Sequence, residues 1–303
     1  MITRDITTFV DAACQCTADF GPPTAKSVFL VSPDGFCKAE ASAADNHYMA
    51  AADAFDAGRA LAQHRGLQRA LAELVETVCF EGDPSTPDGV FPNNVFATIP
   101  GRMVIGRMRH PVRQQEALRD DVRSYFRDTL GYVITDLSQQ PHPCELTGAM
   151  VIDRARGIGF CGLSERCDEN GARLMHEAFG LRATLMFDLA PGEYHANVVL
   201  AVLAGRAVIV CPGGFADHAV ADAIASLYAP HAVMLSAREQ AAFAGNAIAI
   251  TPDTVWMSKV AGAHLSIENA AALAQAGLAL RLVPLDAIEA AGGSLRCCVA
   301  EVF

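Results

Sequence analysis

The chain is sparing with charge, and most sparing with positive charge. Of its 303 residues 19% are charged, and 23 Lys and Arg stand against 34 Asp and Glu, a net of −11. No Lys/Arg run occurs, and the single basic cluster, Arg102 to Arg113, is diluted by apolar residues. Nucleic-acid binders carry the opposite sign, at least locally, so no nucleic-acid partner is expected. Uncharged apolar runs of membrane-spanning length are missing too. The apolar stretch Asn197 to Pro212 is broken by Gly205 and Arg206 and reads as two buried strands around a turn, so no membrane partner is expected. The opening MITRDITTFVDAACQ carries Arg4, Asp5 and Asp11 and lacks the basic-then-apolar order of a signal peptide. No Pro/Ser-rich linker interrupts the sequence, which favours one domain over residues 1–303. No C-x2-C pair and no H-x3-H pair is present, so neither a structural zinc site nor another metal centre is expected.

What is present is apolar material, 51% of the residues. A chain this long buries about three-quarters of its unfolded surface, so a sizeable core follows and disorder is excluded. Ala, Gly and Val dominate rather than Glu/Lys heptads, which excludes a coiled coil. Ten cysteines, at 14, 16, 37, 79, 144, 161, 167, 211, 297 and 298, read as small buried hydrophobes in a reducing cytoplasm, with one or two reactive at most.

Apolar runs of strand length alternate with helical patterns, which indicates an α/β fold. The order is not a strict βαβ alternation. Strands over 90–98 and 102–108 precede a helix over 111–129 and a strand over 132–135. The pattern returns as 147–153, 157–161, 170–180 and 182–188, and again as 194–203, 207–211, 217–227 and 232–235. These are successive ββαβ units of about 45–50 residues, with a partial unit at each end, an internal repeat. A long helical pattern covers His47 to Val78, with Asn46 as N-cap, and Asp217 caps the helix after it in the third unit. Coincidence in a mixed α/β chain is the plain alternative. A pseudo-symmetric ring of ββαβ modules is the sharper reading, and it directs attention to polar residues in each unit's first strand.

Those residues are Asn93 and Asn94 in FPNNVF, Glu145 and Asp153 in CELTGAMVID, His195 and Asn197 in YHANVVLAV, and Arg296, Cys297 and Cys298 in GGSLRCCVAEVF. Buried strands tolerate such side chains only when they are paired. Taken singly each reads as structural: an Asn in a turn, a core His, a packing Cys. Together a Cys, a His and a Glu from consecutive modules make a nucleophile, a base and an orienting acid. Asn46, Asn94, Glu145 and His195 are spaced by 48, 51 and 50 residues, and Cys297 lies 102 further on, about two modules.

The set DGVFPNN, ELTG followed by Asp153, YHANV, FAGN and IEAAGGSLRC resembles the guanidine-modifying (pentein) superfamily. It is most similar to the branch of citrulline hydrolases, arginine-deiminase-related proteins and arginine dihydrolases. That resemblance implies a five-bladed ββαβ α/β propeller. It places Cys297 as the nucleophile, His195 as the general acid/base and Glu145 as the carboxylate that orients it. Asn94 and Asn197 fall where deiminases carry guanidinium-binding Asp residues. Asn46 matches a substrate-side Asn, Arg113 and Arg166 match arginines that hold a substrate carboxylate, and Asp153 matches a further polar site position. Cys298 stands where Met or Leu is usual and reads as packing. Val95, Leu146 and Ala196 depart from the family pattern and alter the pocket's shape.

The implied activity is hydrolysis of the ureido or guanidino group of an arginine/citrulline-type amino acid through a covalent Cys intermediate. Ammonia and an ornithine-type product would be released, with no cofactor. Amides at 94 and 197 in place of carboxylates favour a ureido group. An amidinotransferase and a plain deiminase are the rival enzymes. A small-molecule amino-acid substrate is thus the expected partner. The sequence leaves the oligomeric state open, a homo-oligomer included.

Overall fold

In the computed structural model, residues 1–37, 40–43, 45–50 and 55–303 are described. Among them the strands form five sheets, and one connection pattern recurs. In the first sheet Phe96–Ile99 runs antiparallel to Arg102–Ile105, which pairs in parallel with Val133–Asp136. The second has Met150–Asp153 antiparallel to Ile158–Leu163, then parallel to Ala183–Asp188, with Ile2–Thr3 added at its edge. In the third, Leu200–Leu203, Ala207–Val210 and Ala232–Met234 follow the same order. Thr254–Ser258 and Ala279–Val283 make the fourth, whose opening strand is reduced to a single bridge between Ile248 and Trp256. The fifth joins the two ends of the chain: Ala300–Val302 lies antiparallel to Ser27–Val31, which pairs in parallel with Glu76–Phe80.

The physical logic is the same in each unit. An antiparallel pair needs only a tight turn, whereas a parallel pair needs a crossover, and a helix supplies it. In the three-residue loop between Leu203 and Ala207, Ala204 and Gly205 take left-handed φ of 50° and 65°, and the Arg206 N–H donates back to the Leu203 carbonyl at 3.1 Å, the geometry of a type I′ turn. In the second unit the crossover is Glu169–Phe179, started by Asp168, whose side chain accepts from the Gly171 N–H at 2.7 Å. Gly180 at φ 63° ends it. Ala172, Met175, Ala178 and Phe179, on one face, are buried against the sheet. Asp217 caps its helix as expected, accepting from the Ala219 N–H.

Several expected elements differ. The pattern over His47 to Val78 splits into His47–Ala50 and Ala57–Ala72, and its end becomes the strand Glu76–Phe80. Residues 51–54 of that span lie outside the described residues. Thr77, Val78 and Phe80 fit a pleated strand better than a helix once a partner strand is available, and Ser27–Val31 is that partner. The helix expected over 111–129 is a chain of short turns, from Pro111–Gln114 to Tyr125–Thr129. No helix among the described residues is long and apolar enough to cross a membrane.

Candidate active site

Asp153 apart, the chemistry-bearing residues do not sit in strands, as their sequence pattern suggests. Four units open with one helical turn and only then enter the strand. Pro92–Asn94 precedes Phe96–Ile99, and Leu146–Ala149 precedes Met150–Asp153. Ala196–Val199 precedes Leu200–Leu203, and Leu295–Cys298 precedes Ala300–Val302. Asn94 and Cys297 lie on these turns, and Glu145 and His195 immediately before them. A strand would send successive side chains into opposite apolar faces. A helical turn instead gathers the polar groups at the strand ends, where they meet one another.

Glu145 and His195 are fully buried and meet at 2.8 Å, Oε2 to Nε2. The other carboxylate oxygen accepts from the Arg109 N–H at 2.9 Å, and Arg166 Nη1 donates to Oε2 at 3.3 Å. Burial opposes ionisation of Glu145, but Arg166, His195 and Arg113 outweigh it and hold the carboxyl well below the usual carboxylate range. The imidazole therefore donates from Nε2, which leaves Nδ1 as the free acceptor. Nδ1 is buried and has no partner. Burial, helped by Arg166 and Arg113, pushes the His195 pKa down despite the pull of Glu145, which favours the neutral ring.

Gly148 explains how the ring is seated. A Cβ there would lie 2.6 Å from Asn94 Oδ1 and 2.8 Å and 2.9 Å from His195 Cε1 and Nδ1. Only a residue without a side chain leaves room for both groups.

Cys297 is buried, and neither nitrogen of His195 bonds its sulfur. Its Sγ instead lies 3.3 Å from Asn246 Nδ2 and 3.8 Å from Asn197 Oδ1. Burial raises the thiol, and the Asn246 contact and nearby Arg296 and Arg113 pull it back only in part. Burial thus favours the neutral thiol of Cys297, as it favours the neutral ring of His195.

A cavity of ≈ 20 Å³ opens onto Cys297 and Asn94. That is room for about one water, so the lining must part before an amino acid enters. Arg113 and Arg166 both line it, as does Asn46. Each arginine is already gripped by the protein's own carboxylates. Arg113 forks onto Glu116 at 2.8 and 2.9 Å, and Arg166 onto Asp45 at 2.6 and 2.7 Å. Asn46 caps His47–Ala50, accepting from the Tyr48 and Met49 N–H groups, and donates to the Gly292 carbonyl at 3.0 Å.

Two expected site residues stand elsewhere. Asp153 is at the far end of its strand, bound by the Ala155 and Arg156 N–H groups, the Arg156 side chain at 2.8 Å and the Tyr228 hydroxyl at 2.9 Å. Three steps along the strand separate it from Met150, roughly 10 Å, and its oxygens are used in closing a turn. Asn197 does not line the cavity; its amide supports the region behind Cys297, donating to the Thr147 carbonyl at 3.1 Å. The pairing of Asn94 with Asn197 as one grip on substrate is therefore corrected: Asn94 alone faces the cavity.

Asp88 was not singled out from the sequence, although it opens the DGVFPNN stretch. It is buried, lines the cavity, accepts from Ser42 through Oδ2, and leaves Oδ1 without a partner. Asn246 was not singled out either, although it closes the FAGN stretch. It lies 51 residues after His195 and 51 before Cys297, so the modular spacing was the available signal.

Solved structures share this architecture. The N-terminal domain of ArgZ, an arginine dihydrolase from the ornithine-ammonia cycle in cyanobacteria, matches with a TM-score of 0.79 at 21% identity, covering 91% of this chain and 97% of that one. Unliganded AgrE matches with a TM-score of 0.79 at 22% identity, over 91% of this chain but 39% of AgrE. A variant of dimethylarginine dimethylaminohydrolase joined to S-methyl-L-thiocitrulline matches with a TM-score of 0.71 at 18% identity, over 92% and 100%. At these identities the likeness is one of fold. No curated protein sequence matches. The family described as N,N dimethylarginine dimethylhydrolase, eukaryotic, matches residues 32–303. With all but its first residues inside that match, the chain belongs to the N,N-dimethylarginine dimethylhydrolase family, within the guanidine-modifying superfamily that its motifs resemble.

Proposed function

We propose that the protein is a cysteine-dependent hydrolase of the guanidino group of a small arginine-type amino acid. Cys297 is the nucleophile, His195 the acid and base, and Glu145 the carboxylate that holds His195. One observation carries this reading. Among the described residues Asn93, off the cavity lining, leaves both ends of its amide unpartnered, whereas the unpartnered buried atoms on the cavity lining or against it, Asp88 Oδ1, Asn94 Oδ1 and the neighbouring His195 Nδ1, are all acceptors. Their natural complement is a ligand rich in N–H groups. Charge supports the same choice, since Asp45, Asp88, Glu116 and Glu145 surround Arg113 and Arg166. Burial pushes Glu116 up to about 7 against the pull of Arg113. Even with Glu116 neutral, carboxylates outnumber guanidinium groups and a cation is favoured. The five sheets then act as blades of one propeller domain whose strand ends enclose the site.

The sulfur of Cys297 adds to the guanidino carbon, and the C–N bond to the departing nitrogen breaks. The thiol proton ends on that nitrogen, delivered by His195 Nδ1. Water then attacks the S-bound carbon. His195 takes its proton, the C–S bond breaks, and Cys297 is restored with a ureido product. Asp88 suits the substrate's ammonium group, and the remaining N–H groups of Arg113 and Arg166 suit its carboxylate. A second reading has hydrolysis continuing through the ureido group to ammonia, carbon dioxide and an ornithine-type product. Asn94 favours it, because a neutral amide retains a neutral ureido group better than a carboxylate does.

The test is incubation with arginine, methylarginines, agmatine, succinylarginine and citrulline, with products resolved by mass. Conversion of a guanidino compound to its ureido or ornithine-type product, abolished by Cys297→Ala, is expected. If the enzyme turns over none of them, or Cys297→Ala retains turnover, the reading fails.

A further inference from the structure

Asn246 is completely buried, and its carboxamide reaches the reacting cysteine twice. Oδ1 accepts from the Cys297 main-chain N–H at 3.4 Å, and Nδ2 lies 3.3 Å from Sγ. The same Nδ2 donates to the Asn197 carbonyl at 2.8 Å, which fixes which end of the amide is nitrogen. Its main-chain carbonyl also accepts from the Arg296 N–H at 3.4 Å. The loop carrying it is held tightly. Phe243 takes a left-handed φ of 61°, and a Cβ on Gly245 would lie 2.3 Å from the Val198 carbonyl and 2.8 Å from Cys211 Sγ. The loop therefore cannot drift without disturbing the neighbouring unit.

We infer that Asn246 is a positioning residue for the nucleophile: one carboxamide anchors the Cys297 main chain and aims a fixed N–H donor at its sulfur. This role rests on Cys297 being the nucleophile. An N–H beside sulfur favours the form with a lone pair to accept it, the thiolate, and charge-assisted bonds are the stronger kind. Asn197 Oδ1, at 3.8 Å, is an acceptor and serves the protonated thiol instead. With His195 not bonded to the sulfur, Asn246 is the side-chain donor within reach of it among the described residues. The spacing agrees, for Asn246 supplies the polar residue of the fourth unit, midway between His195 and Cys297.

The experiment follows alkylation of Cys297 by iodoacetamide against pH, read by peptide mass in a Cys298→Ala background. Asn246→Ala should raise the midpoint by about one to two pH units, the worth of a hydrogen bond to a charged group. Asn246→Asp should raise it further, and kcat should fall in both with KM little changed. A structural loss alone would reduce the folded fraction without moving the midpoint. An unchanged midpoint in a folded variant overturns the inference. Should the variants not fold, the wild-type chain still decides. Its Asn246 side-chain amide protons must shift in NMR with the pH midpoint of Cys297 alkylation, and a flat titration overturns the inference. Turnover by Cys297→Ser would sink the nucleophile reading separately, while the alkylation titration still judges the contact itself.

Discussion

Glu145 and His195 meet at 2.8 Å with both side chains sealed from solvent, and the contact uses up Nε2 of the ring. Nδ1 is left without a partner among the described residues, and it is the atom the proposed mechanism uses to move a proton. Glu145→Gln preserves the shape but removes the charge that selects this tautomer. We expect kcat to fall about a hundredfold in Glu145→Gln and further in His195→Ala, with KM less affected. Steady-state kinetics on folded variants check this; near-wild-type kcat in either would remove that residue from the mechanism.

Cys297 and Cys298 are adjacent and both buried, yet only Cys297 lines the cavity. Cys297→Ala should abolish turnover. Cys298→Ala should keep most of it and cost about 1 kcal/mol of stability through lost packing. An inactive Cys298→Ala with an active Cys297→Ala would show that the register is wrong.

Gly148→Ala places a methyl group against both Asn94 and His195, at 2.6 Å and 2.8 Å. One or both must move. Displacement of a catalytic group by about 1 Å costs on the order of a hundredfold in rate, so kcat should drop by about that factor while the fold survives. A crystal structure of the variant with His195 unmoved, or full activity, would contradict the seating role.

Asn94→Asp and Asn197→Asp should separate. A carboxylate at 94 faces the cavity, so KM for a guanidinium substrate should fall and any second hydrolysis of the ureido product should cease. At 197 it lies beside Cys297 Sγ and opposite the Thr147 carbonyl, so the thiolate becomes harder to form and kcat falls. Identical effects from the two variants would restore the paired-grip reading.

His64 is fully buried with neither ring nitrogen bonded, and burial takes its pKa from 6.5 to about 4, with Asp34 pulling weakly upward. The unfolded chain therefore binds a proton that the folded one refuses. Stability is full above the unfolded value and is lost as pH falls from about 6.5 toward 4, by up to about 3 kcal/mol. Urea unfolding at pH 7 and pH 5 should show this loss in the wild type and less of it in His64→Leu. Equal slopes would refute the assignment.

The α/β class, the ββαβ period and the residues Asn94, Glu145, His195 and Cys297 are written in the sequence. They could be read because each unit repeats the same local hydrophobic pattern, and polar residues interrupt it at a regular interval. The Gly–Gly pair before Cys297 and the Ala204–Gly205 turn are likewise visible in the sequence, although the close approach of Asn46, Phe91 and Ala155 to those glycines is tertiary. The helical turns ahead of the strands were not legible, because the apolar stretch that follows each of them continues without a break. Nor was the contrast between Asp153, consumed in closing a turn, and Asp88, left with a bare oxygen in the cavity. Contacts such as Asn246 with Cys297, 51 residues apart, arise only when neighbouring units pack side by side. The charge state of the site belongs to that packing too. Burial, which no single stretch of sequence encodes, pushes the His195 imidazole down and the Cys297 thiol up.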